Sequence, residues 1–322
     1  MDSVLAVDLG GTKIYAALVG RDGKIINEDI SPTMAARGFA AVADRILAGV
    51  DRVMPADERP AGIAIAVPAF IEPQTGKVIY SPNLKWRNVD IKNRIEDALG
   101  LPVWLENDAN LAALGEHRCG AGRNYDDLVY ITVSTGVGGG LILGGKLYGG
   151  AFGGAGEFGH MTVDADGPAC SCENRGCLEG LASGCAISRD ARRLAESGKG
   201  RGILSLAGSM EGIDARVVGQ AAADGDAEAG EVLAQAGRYL GIAIANVANL
   251  LNPGIFIIGG GVACGVGGFI LDSAREEAYR RTYPPYRSFL KIVPAALGPR
   301  SGILGAAAYA WEQIEALQNG GK

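Results

Sequence analysis

The sequence has no apolar run that approaches the roughly 18 residues of a membrane-spanning helix. It also has no excess of positive charge, since the net charge is -6 and the isoelectric point is near 5.1. A chain without a basic patch is not expected to bind the phosphate backbone of a nucleic acid. We therefore expect a soluble globular protein whose partners include neither a membrane nor a nucleic acid.

The first residues, Met1 to Asp8, lack the basic region of a secretion signal and are typical of a first strand. This predicts a cytoplasmic location, where thiols stay reduced. The six cysteines are therefore considered as metal ligands or core residues before disulfides. A chain of 322 residues is long enough for about two domains.

A glycine turn follows the first predicted strand and comes directly after Asp8 and Leu9. Gly10 and Gly11 would let backbone N–H groups converge on phosphate oxygens, while Thr12 adds a hydroxyl and Lys13 a positive charge. The alternative is an ordinary hairpin turn that needs glycine for positive φ angles. We favour the phosphate loop because Asp8 lies beside it and could hold hydrated Mg²⁺.

The same strand, turn, strand pattern occurs a second time, with Thr135 and Gly136 in the turn. Two such loops in one chain are harder to dismiss than one, and we infer that they hold a nucleotide triphosphate from two domains. Gly259, Gly260 and Gly261 follow a further buried strand. They could permit close backbone contact with a flat ring such as adenine, or they could form a plain turn into the next helix.

Asp108 lies where a short buried strand meets a predicted helix. Ligands of α/β proteins bind outside the carboxyl ends of the strands, where a carboxylate can take a proton from a bound hydroxyl. The alternative is that Asp108 only caps the helix. Asn83 lies in a loop near Trp86; an amide beside an aromatic ring suits a sugar, although Asn83 would be equally ordinary as a loop residue.

One histidine and three cysteines lie close together in the sequence: His160, Cys170, Cys172 and Cys177. A Cys-x-Cys pair with a third cysteine five residues on matches a closed Cys₃His zinc site in a short loop. Chance clustering is the alternative, and we favour zinc. Four protein ligands leave no open position, so the zinc would be structural.

These segments, in this order, resemble the ROK family of sugar kinases and their repressor relatives. The likeness covers nearly the whole chain and includes the first loop (8–13), a catalytic segment (106–110), the second loop (134–140) and a sugar and zinc signature (157–160 with 170–179). The resemblance implies an α/β, two-domain, actin-like (ribonuclease-H-like) ATPase fold that binds ATP and sugar in an interdomain cleft. We expect residues 1–115, completed by a helix at 302–318, to form a small domain. Residues 116–301 should form a large domain with a zinc loop at 160–178.

The resemblance also implies roles for single residues. Asp108 would be the general base on a sugar hydroxyl, and the sugar would be bound by Asn83, Asn107, Asp108, Glu157, His160 and Glu179. ATP with Mg²⁺ would be bound by Asp8, Gly10, Gly11, Thr12, Lys13, Thr135, Gly136, Gly259, Gly260 and Gly261. The metal would be zinc on His160, Cys170, Cys172 and Cys177.

The reaction implied is phosphorylation of a hexose, with glucose at its 6-hydroxyl as the expected acceptor. N-acetylmannosamine, N-acetylglucosamine, fructose or mannose could be the acceptor instead, and a non-catalytic sugar sensor is the alternative outside the kinases. A homodimer is the usual state in the family. The family's repressors carry a DNA-binding segment ahead of the first loop, and because Asp8 comes so early here we expect no such domain.

Three positions depart from the family pattern. Ala69 stands where glycine is usual after Pro68, and Glu173 stands where glycine is usual after the second cysteine of the zinc loop. The stretch from Leu297 to Gly302, with Pro299, replaces an acidic segment. We expect these departures to affect sugar preference and the turn of the zinc loop more than the chemistry.

Overall fold

The computed structural model describes residues 2–55 and 58–320. In chain order the strands are β1 (Ser3–Leu9), β2 (Lys13–Gly20), β3 (Ile25–Pro32), β4 (Ile63–Val67), β5 (Phe70–Ile71), β6 (Val78–Ser81), β7 (Trp86–Val89), β8 (Val103–Asn107), β9 (Leu128–Val133), β10 (Val137–Leu143), β11 (Lys146–Leu147), β12 (Ile255–Gly259) and β13 (Ile292–Pro294). The α-helices are α1 (Phe39–Val53), α2 (Ile91–Leu99), α3 (Asp108–Cys119), α4 (Glu179–Ala182), α5 (Gly184–Glu196), α6 (Arg201–Ala207), α7 (Ala215–Ala223), α8 (Ala227–Leu251), α9 (Gly261–Gly265), α10 (Gly267–Arg281) and α11 (Ser301–Gly320).

The chain divides into two compact units. Unit 1 contains residues 1–124, 140–155 and 299–322, and unit 2 contains residues 125–139 and 156–298. Compared with the domains expected from the sequence, unit 1 also contains 116–124 and 140–155, because α3 runs on to Cys119 and the chain passes between the units inside β10.

Unit 1 is built on a five-stranded sheet in the order β3-β2-β1-β4-β8. The strands β1, β4 and β8 are parallel neighbours, while β1–β2 and β2–β3 are antiparallel pairs. Both faces of the central strands are buried, so these strands are almost continuously apolar. The apolar faces of α1 and α2 share one buried core with this sheet, while α3 and α11 contact β4 and β8, and α11 also contacts β1.

Helices α3 and α11 cross with their backbones almost in contact. A Cβ atom on Gly305 of α11 would lie 1.6 Å from the carbonyl oxygen of Leu111, and one on Gly115 of α3 would lie 2.1 Å from that of Ser301. Beside the crossing, the hydroxyl of Ser301 donates to the fully buried carboxylate of Glu116 over 2.9 Å. Glycine at 115 and 305 is therefore a requirement of this packing.

In unit 2, β12 pairs in parallel with both β9 and β13, within a five-stranded sheet of order β11-β10-β9-β12-β13. The long helix α8 packs on α10, again through glycine: a Cβ on Gly237 would lie 2.4 Å from the carbonyl oxygen of Ile270. None of the helices in the described part of the chain is both long and apolar enough to cross a membrane.

Candidate active site

The carboxyl ends of β1, β4 and β8 place the first group of predicted site residues along one edge of the unit 1 sheet. Asp8 is aligned with Ala66 on β4, and Ala66 is aligned with Glu106 on β8. Asn107 follows at the last position of β8, and Asp108 begins α3. The strand register therefore brings Asp8 and the Glu106–Asp108 segment to the same edge, as expected for a ligand site of an α/β sheet.

Asp8 has a strongly perturbed acidity. The pKa of its carboxyl is raised to about 7, first by burial and then by the negative charge of Asp108, while the positive charge of Lys13 acts in the opposite direction. A Cβ on Gly302 would lie 2.9 Å from Oδ2 of Asp8, so the carboxylate packs on the first turn of α11. The amino end of a helix favours a negative charge, and a cation at the open side of Asp8 would favour its ionised form in the same way.

Asn107, and not Asp108, is the cap of α3. Its Oδ1 accepts the N–H groups of Ala109 at 2.9 Å and Asn110 at 3.2 Å, and its Nδ2 donates to the carbonyl of Ala69 at 3.3 Å. Asp108 is the first helical residue, and its Oδ1 also lies 2.9 Å from the N–H of Ala109. Since the capping position is taken by Asn107, capping alone does not account for an acid at 108.

Glu106 stabilises the junction between β8 and α3. Its Oε1 accepts the N–H of Asn107 at 2.7 Å and the side-chain amide of the buried Asn110 at 2.9 Å. Burial raises the pKa of Glu106 and these two hydrogen bonds lower it, with burial the larger effect. Burial and the negative charges of Glu106 and Glu312 raise the pKa of Tyr309 on α11. From the sequence, Glu106 was expected only as part of the catalytic segment, without a role of its own.

The first glycine loop, Gly10–Lys13, turns without the positive φ angles that the hairpin alternative required, since neither of its glycines is in the left-handed region. The N–H of Gly10 donates to the carbonyl of Lys13 at 2.9 Å. From Gly11 to Lys13 the loop is exposed, and a Cβ on Gly11 would lie 3.5 Å from the Cβ of Asn83. Unit 1 therefore places the predicted sugar residue Asn83 directly beside the predicted phosphate loop.

Ala69 follows the end of β4, where the family pattern has glycine. It is only 6% exposed and belongs to the apolar core. Its carbonyl holds Asn107, and the preceding carbonyl of Pro68 accepts the hydroxyl of the buried Ser81 at 2.7 Å. The extra methyl group is therefore absorbed by the core, and the backbone of this turn is held from both sides.

In unit 2, the second glycine loop, Ser134–Gly136, lies between β9 and β10. Oγ of Ser134 accepts the N–H of Gly261 at 3.0 Å, so the loop is joined to the third glycine segment, 259–261. A Cβ on Gly260, whose φ is 93°, would lie 2.3 Å from the carbonyl of Val133. Gly259 and Gly260 are thus required by packing within the unit, whereas a Cβ on Gly261 would meet nothing within 4 Å. Within this segment, only Gly261 has open space beside its backbone, and its role in nucleotide binding stays a prediction.

Glu179, predicted from the resemblance to bind sugar, also supports the second glycine loop. Its Oε2 accepts the N–H of Val137 at 3.1 Å, and a Cβ on Gly136 would lie 2.4 Å from the same oxygen. From the other side, the first N–H groups of α5, on Gly184 and Cys185, donate to the carbonyls of Ser134 at 2.8 Å and Thr135 at 3.3 Å. The loop is therefore fixed on two sides by groups of its own unit.

The predicted metal ligands of unit 2 come together. The ligand atoms of His160, Cys170, Cys172 and Cys177 all lie within 4.8 Å of one another. Sγ of Cys172 lies 3.6 Å from that of Cys177, and Sγ of Cys170 lies 3.8 Å from Nδ1 of His160. Tetrahedral zinc with Zn–S bonds of about 2.3 Å and Zn–N bonds of about 2.0 Å needs ligand separations of about 3.6–3.8 Å. The donor set and its spacing therefore fit zinc.

The backbone conformation at Glu173 shows how the loop accommodates this residue in place of the usual glycine. Its φ is 73°, which is the left-handed conformation that glycine adopts without strain. The turn typical of a glycine is therefore kept, and Glu173 carries the steric cost of its β-carbon. At Gly176, which also has a positive φ, only glycine fits, because a Cβ there would lie 1.5 Å from the carbonyl oxygen of Asp164.

His160 has a polar neighbour on each side of its ring. While Nδ1 faces Cys170, Nε2 lies 4.0 Å from a carboxylate oxygen of Glu157. Both side chains are partly exposed. The ring therefore joins the cysteine cluster to Glu157, one of the residues predicted to bind sugar.

Comparison with known proteins gives a consistent result. A model of the ROK family matches residues 4–313. A glucokinase of Streptomyces coelicolor is 36% identical over 317 residues, which are 97% of this chain and 98% of that protein. A putative xylose repressor of a Caldicellulosiruptor species is 33% identical over 309 residues, which are 95% of this chain and 77% of the repressor.

Among solved structures, this chain is similar to a ROK family glucokinase from Streptomyces griseus in complex with glucose and AMPPNP. The TM-score is 0.85 at 35% identity, and the match covers 96% of this chain and 99% of that one. That protein binds a hexose and an analogue of ATP together on the same fold.

Proposed function

The chain belongs to the ROK family, and from that premise we propose that this sugar kinase transfers the γ-phosphoryl group of ATP to the 6-hydroxyl of glucose, with Asp108 as general base. The similarity to the Streptomyces griseus glucokinase confirms the expected actin-like ATPase fold. The observation that carries the proposal is the position of Asp108, an acid at the end of the parallel strands beside a neighbouring residue that already caps the helix.

Asp108 would accept the proton of the attacking hydroxyl, and Asp8 would stay ionised beside Mg²⁺. The transition state of phosphoryl transfer is loose, so positioning and charge neutralisation dominate the rate, and ATP bound with Mg²⁺ supplies both the phosphoryl group and a neutralising charge. In unit 1, Lys13 and the N–H groups of the first glycine loop would bind phosphate oxygens. In unit 2, Thr135, Gly136 and Gly261 offer a second set of open backbone groups.

For the sugar, unit 1 offers Asn83 and the second amide hydrogen of Asn107, and unit 2 offers Glu157, His160 and Glu179. Zinc on His160, Cys170, Cys172 and Cys177 would hold the imidazole in one orientation, which fixes the nitrogen that faces Glu157. The metal would then be structural, because the protein supplies all four ligands.

The base is tested by replacing Asp108 with asparagine. We expect kcat to fall by about 10²–10⁴-fold, the usual contribution of general base catalysis, while the Kd for glucose changes little. Asp90→Asn is the matched control, since Asp90 is also an acid where a strand meets a helix, but it caps α2 by accepting the N–H of Asn93. Asparagine caps as well as aspartate, so this variant should keep full activity. Equal loss of binding and turnover in Asp108→Asn would make Asp108 structural.

The acceptor and donor are tested by measuring ADP release with glucose, mannose, fructose, N-acetylglucosamine, N-acetylmannosamine and xylose, and with polyphosphate in place of ATP. We expect the largest kcat/KM with ATP and glucose. The similarity to the putative xylose repressor makes a non-catalytic sugar sensor the second candidate. A sensor would bind a sugar in calorimetry and release no ADP with any acceptor.

We also propose that the protein is cytoplasmic, acts where sugar enters glycolysis and forms a homodimer. Sedimentation of the purified protein would test the homodimer.

A further inference from the structure

A buried polar residue beside the first glycine loop has no role in the function proposed above. Thr33 follows the last residue of β3 and is 0% exposed. Strand β3 ends at Pro32, and α1 begins only at Phe39. Thr33 thus lies in the short connection between β3 and a single 3₁₀ turn at Ala35–Arg37.

Both polar groups of Thr33 bind carbonyl oxygens of the loop. Its hydroxyl donates to the carbonyl of Gly10 over 2.7 Å, and its backbone N–H donates to the carbonyl of Thr12 over 2.8 Å. The segment after Thr33 is also held in an uncommon conformation, because Met34 has a φ of 53°.

The hydroxyl contact determines where a neighbouring N–H group points. A peptide bond is planar and trans, so its C=O and N–H groups point in opposite directions. Because the carbonyl of Gly10 is turned toward the buried Thr33, the N–H of Gly11 in the same peptide is turned away from it. That is the exposed side of the loop, on which Gly11, Thr12 and Lys13 are open to solvent.

We propose that Thr33 is a positioning residue that orients the N–H of Gly11 toward the phosphates of the nucleotide. The inference rests on the proposed function, because it assumes that the first glycine loop binds phosphate oxygens. Thr33 itself touches no ligand and acts through the Gly10–Gly11 peptide. Without the hydroxyl of Thr33, the Gly10–Gly11 peptide could rotate and turn its carbonyl oxygen toward the phosphates. The negatively charged phosphates would repel that oxygen.

The test is Thr33→Val, which keeps the branched shape and the backbone N–H but removes the hydroxyl. We expect the KM for ATP and the Kd for ADP to rise about tenfold, the value of one hydrogen bond of about 1.4 kcal/mol, while the KM for glucose changes less than twofold. Thr33→Ser restores the hydroxyl and should return both nucleotide constants to those of the unchanged protein. If Thr33 is purely structural, Thr33→Val will lower the melting temperature and either change the constants for glucose and ATP by similar factors or leave both unchanged.

If Thr33→Val does not fold, Thr33→Ala leaves room for a water molecule at the Gly10 carbonyl and should still weaken ADP binding. Nucleotide constants unchanged in whichever of the two variants folds would overturn the inference. Failure of the proposed function would look different: the unchanged protein would then phosphorylate no sugar, and calorimetry with ADP would still show whether Thr33 matters for nucleotide binding.

Discussion

Replacing Gly305 with alanine should damage both the stability and the activity of this protein. Gly305 lies at the crossing of α11 and α3, where its Cβ would be 1.6 Å from the carbonyl oxygen of Leu111. An ordinary contact begins at 3.4 Å. The obstacle is backbone, which cannot rotate aside, so the two helices must separate by about 1.8 Å or bend.

The magnitude follows from two opposing effects. Overpacking of this kind costs about 1–3 kcal/mol, and a clash with backbone belongs at the upper end. Alanine in a helix is more favourable than glycine by about 1 kcal/mol. The net loss is then about 2 kcal/mol, or roughly 4–8 °C in Tm by the scaling for domains of 150–250 residues.

The activity should fall further than the stability. Helix α3 begins at Asp108, and the first turn of α11 contacts Asp8. A shift of about 1 Å in a reacting group can cost about 10²-fold in rate. We therefore expect a kcat at 25 °C, where the variant is still folded, that is lower by at least tenfold.

The assay is calorimetric unfolding combined with steady-state kinetics, and Gly49→Ala is the matched control. Gly49 is also a buried glycine inside a helix of unit 1, but its Cβ would meet Ala16 at 3.5 Å, an ordinary contact. That variant should be as stable as the unchanged protein or more so, with the same kcat. If Gly305→Ala is as stable and as active as Gly49→Ala, the close crossing described here is wrong.

The other predictions concern the zinc loop and Asp8. Glu173→Gly should raise the free energy of unfolding by about 0.5–1 kcal/mol because glycine tolerates the positive φ. Glu173→Ala keeps the β-carbon and should not raise it. Equal melting temperatures for the two variants would contradict this explanation. Cys172→Ser should lose zinc, measured by elemental mass spectrometry, and lower the Tm, while Cys185→Ser, outside the cluster, keeps both; full zinc content in Cys172→Ser would exclude the site. The pKa of Asp8 is about 7 in the folded chain against 3.8 for an ordinary aspartate, so the folded state binds this proton more tightly than the unfolded state does. The nucleotide-free protein should therefore lose stability as the pH rises from about 4 through about 7, by at most roughly 4 kcal/mol. Asp8→Asn should flatten that part of the denaturation profile, and an unchanged profile would mean that Asp8 does not titrate there. The affinity for Mg²⁺-ATP should rise through the same pH range, since the ionised carboxylate is the form that a cation favours.

Several features of the candidate site were predictable because they depend on local sequence. Continuous apolar runs identify buried strands, and the polar residues that follow them, such as Asp8 and Asn107, must then lie at the carboxyl edge of the sheet. The spacing of Cys170, Cys172 and Cys177 is short enough for one loop to carry them all. The fold class was confirmed, while the roles given to single residues stay predictions.

Other features depend on contacts between segments far apart in the chain, and the sequence could not predict them. Asn and Asp both suit a helix cap, so only the backbone geometry distinguishes Asn107 from Asp108. The hydroxyl of Thr33 donates to the carbonyl of Gly10, 23 residues earlier in the chain, and no local pattern identifies that contact. The charge of Asp108 acts on Asp8 across about a hundred residues of sequence, and no local pattern reports that.

The discontinuous order of unit 1 has a consequence during synthesis on the ribosome. Helix α11 covers β1 and β4, yet about 176 residues separate it from the end of the unit's first segment. At about 5–20 residues per second, the nascent sheet waits roughly ten to thirty seconds for its last helix. During that interval one apolar surface of β1 and β4 has no native cover, so chaperones that recognise exposed apolar strands should bind the growing chain before α11 is made and release it afterwards.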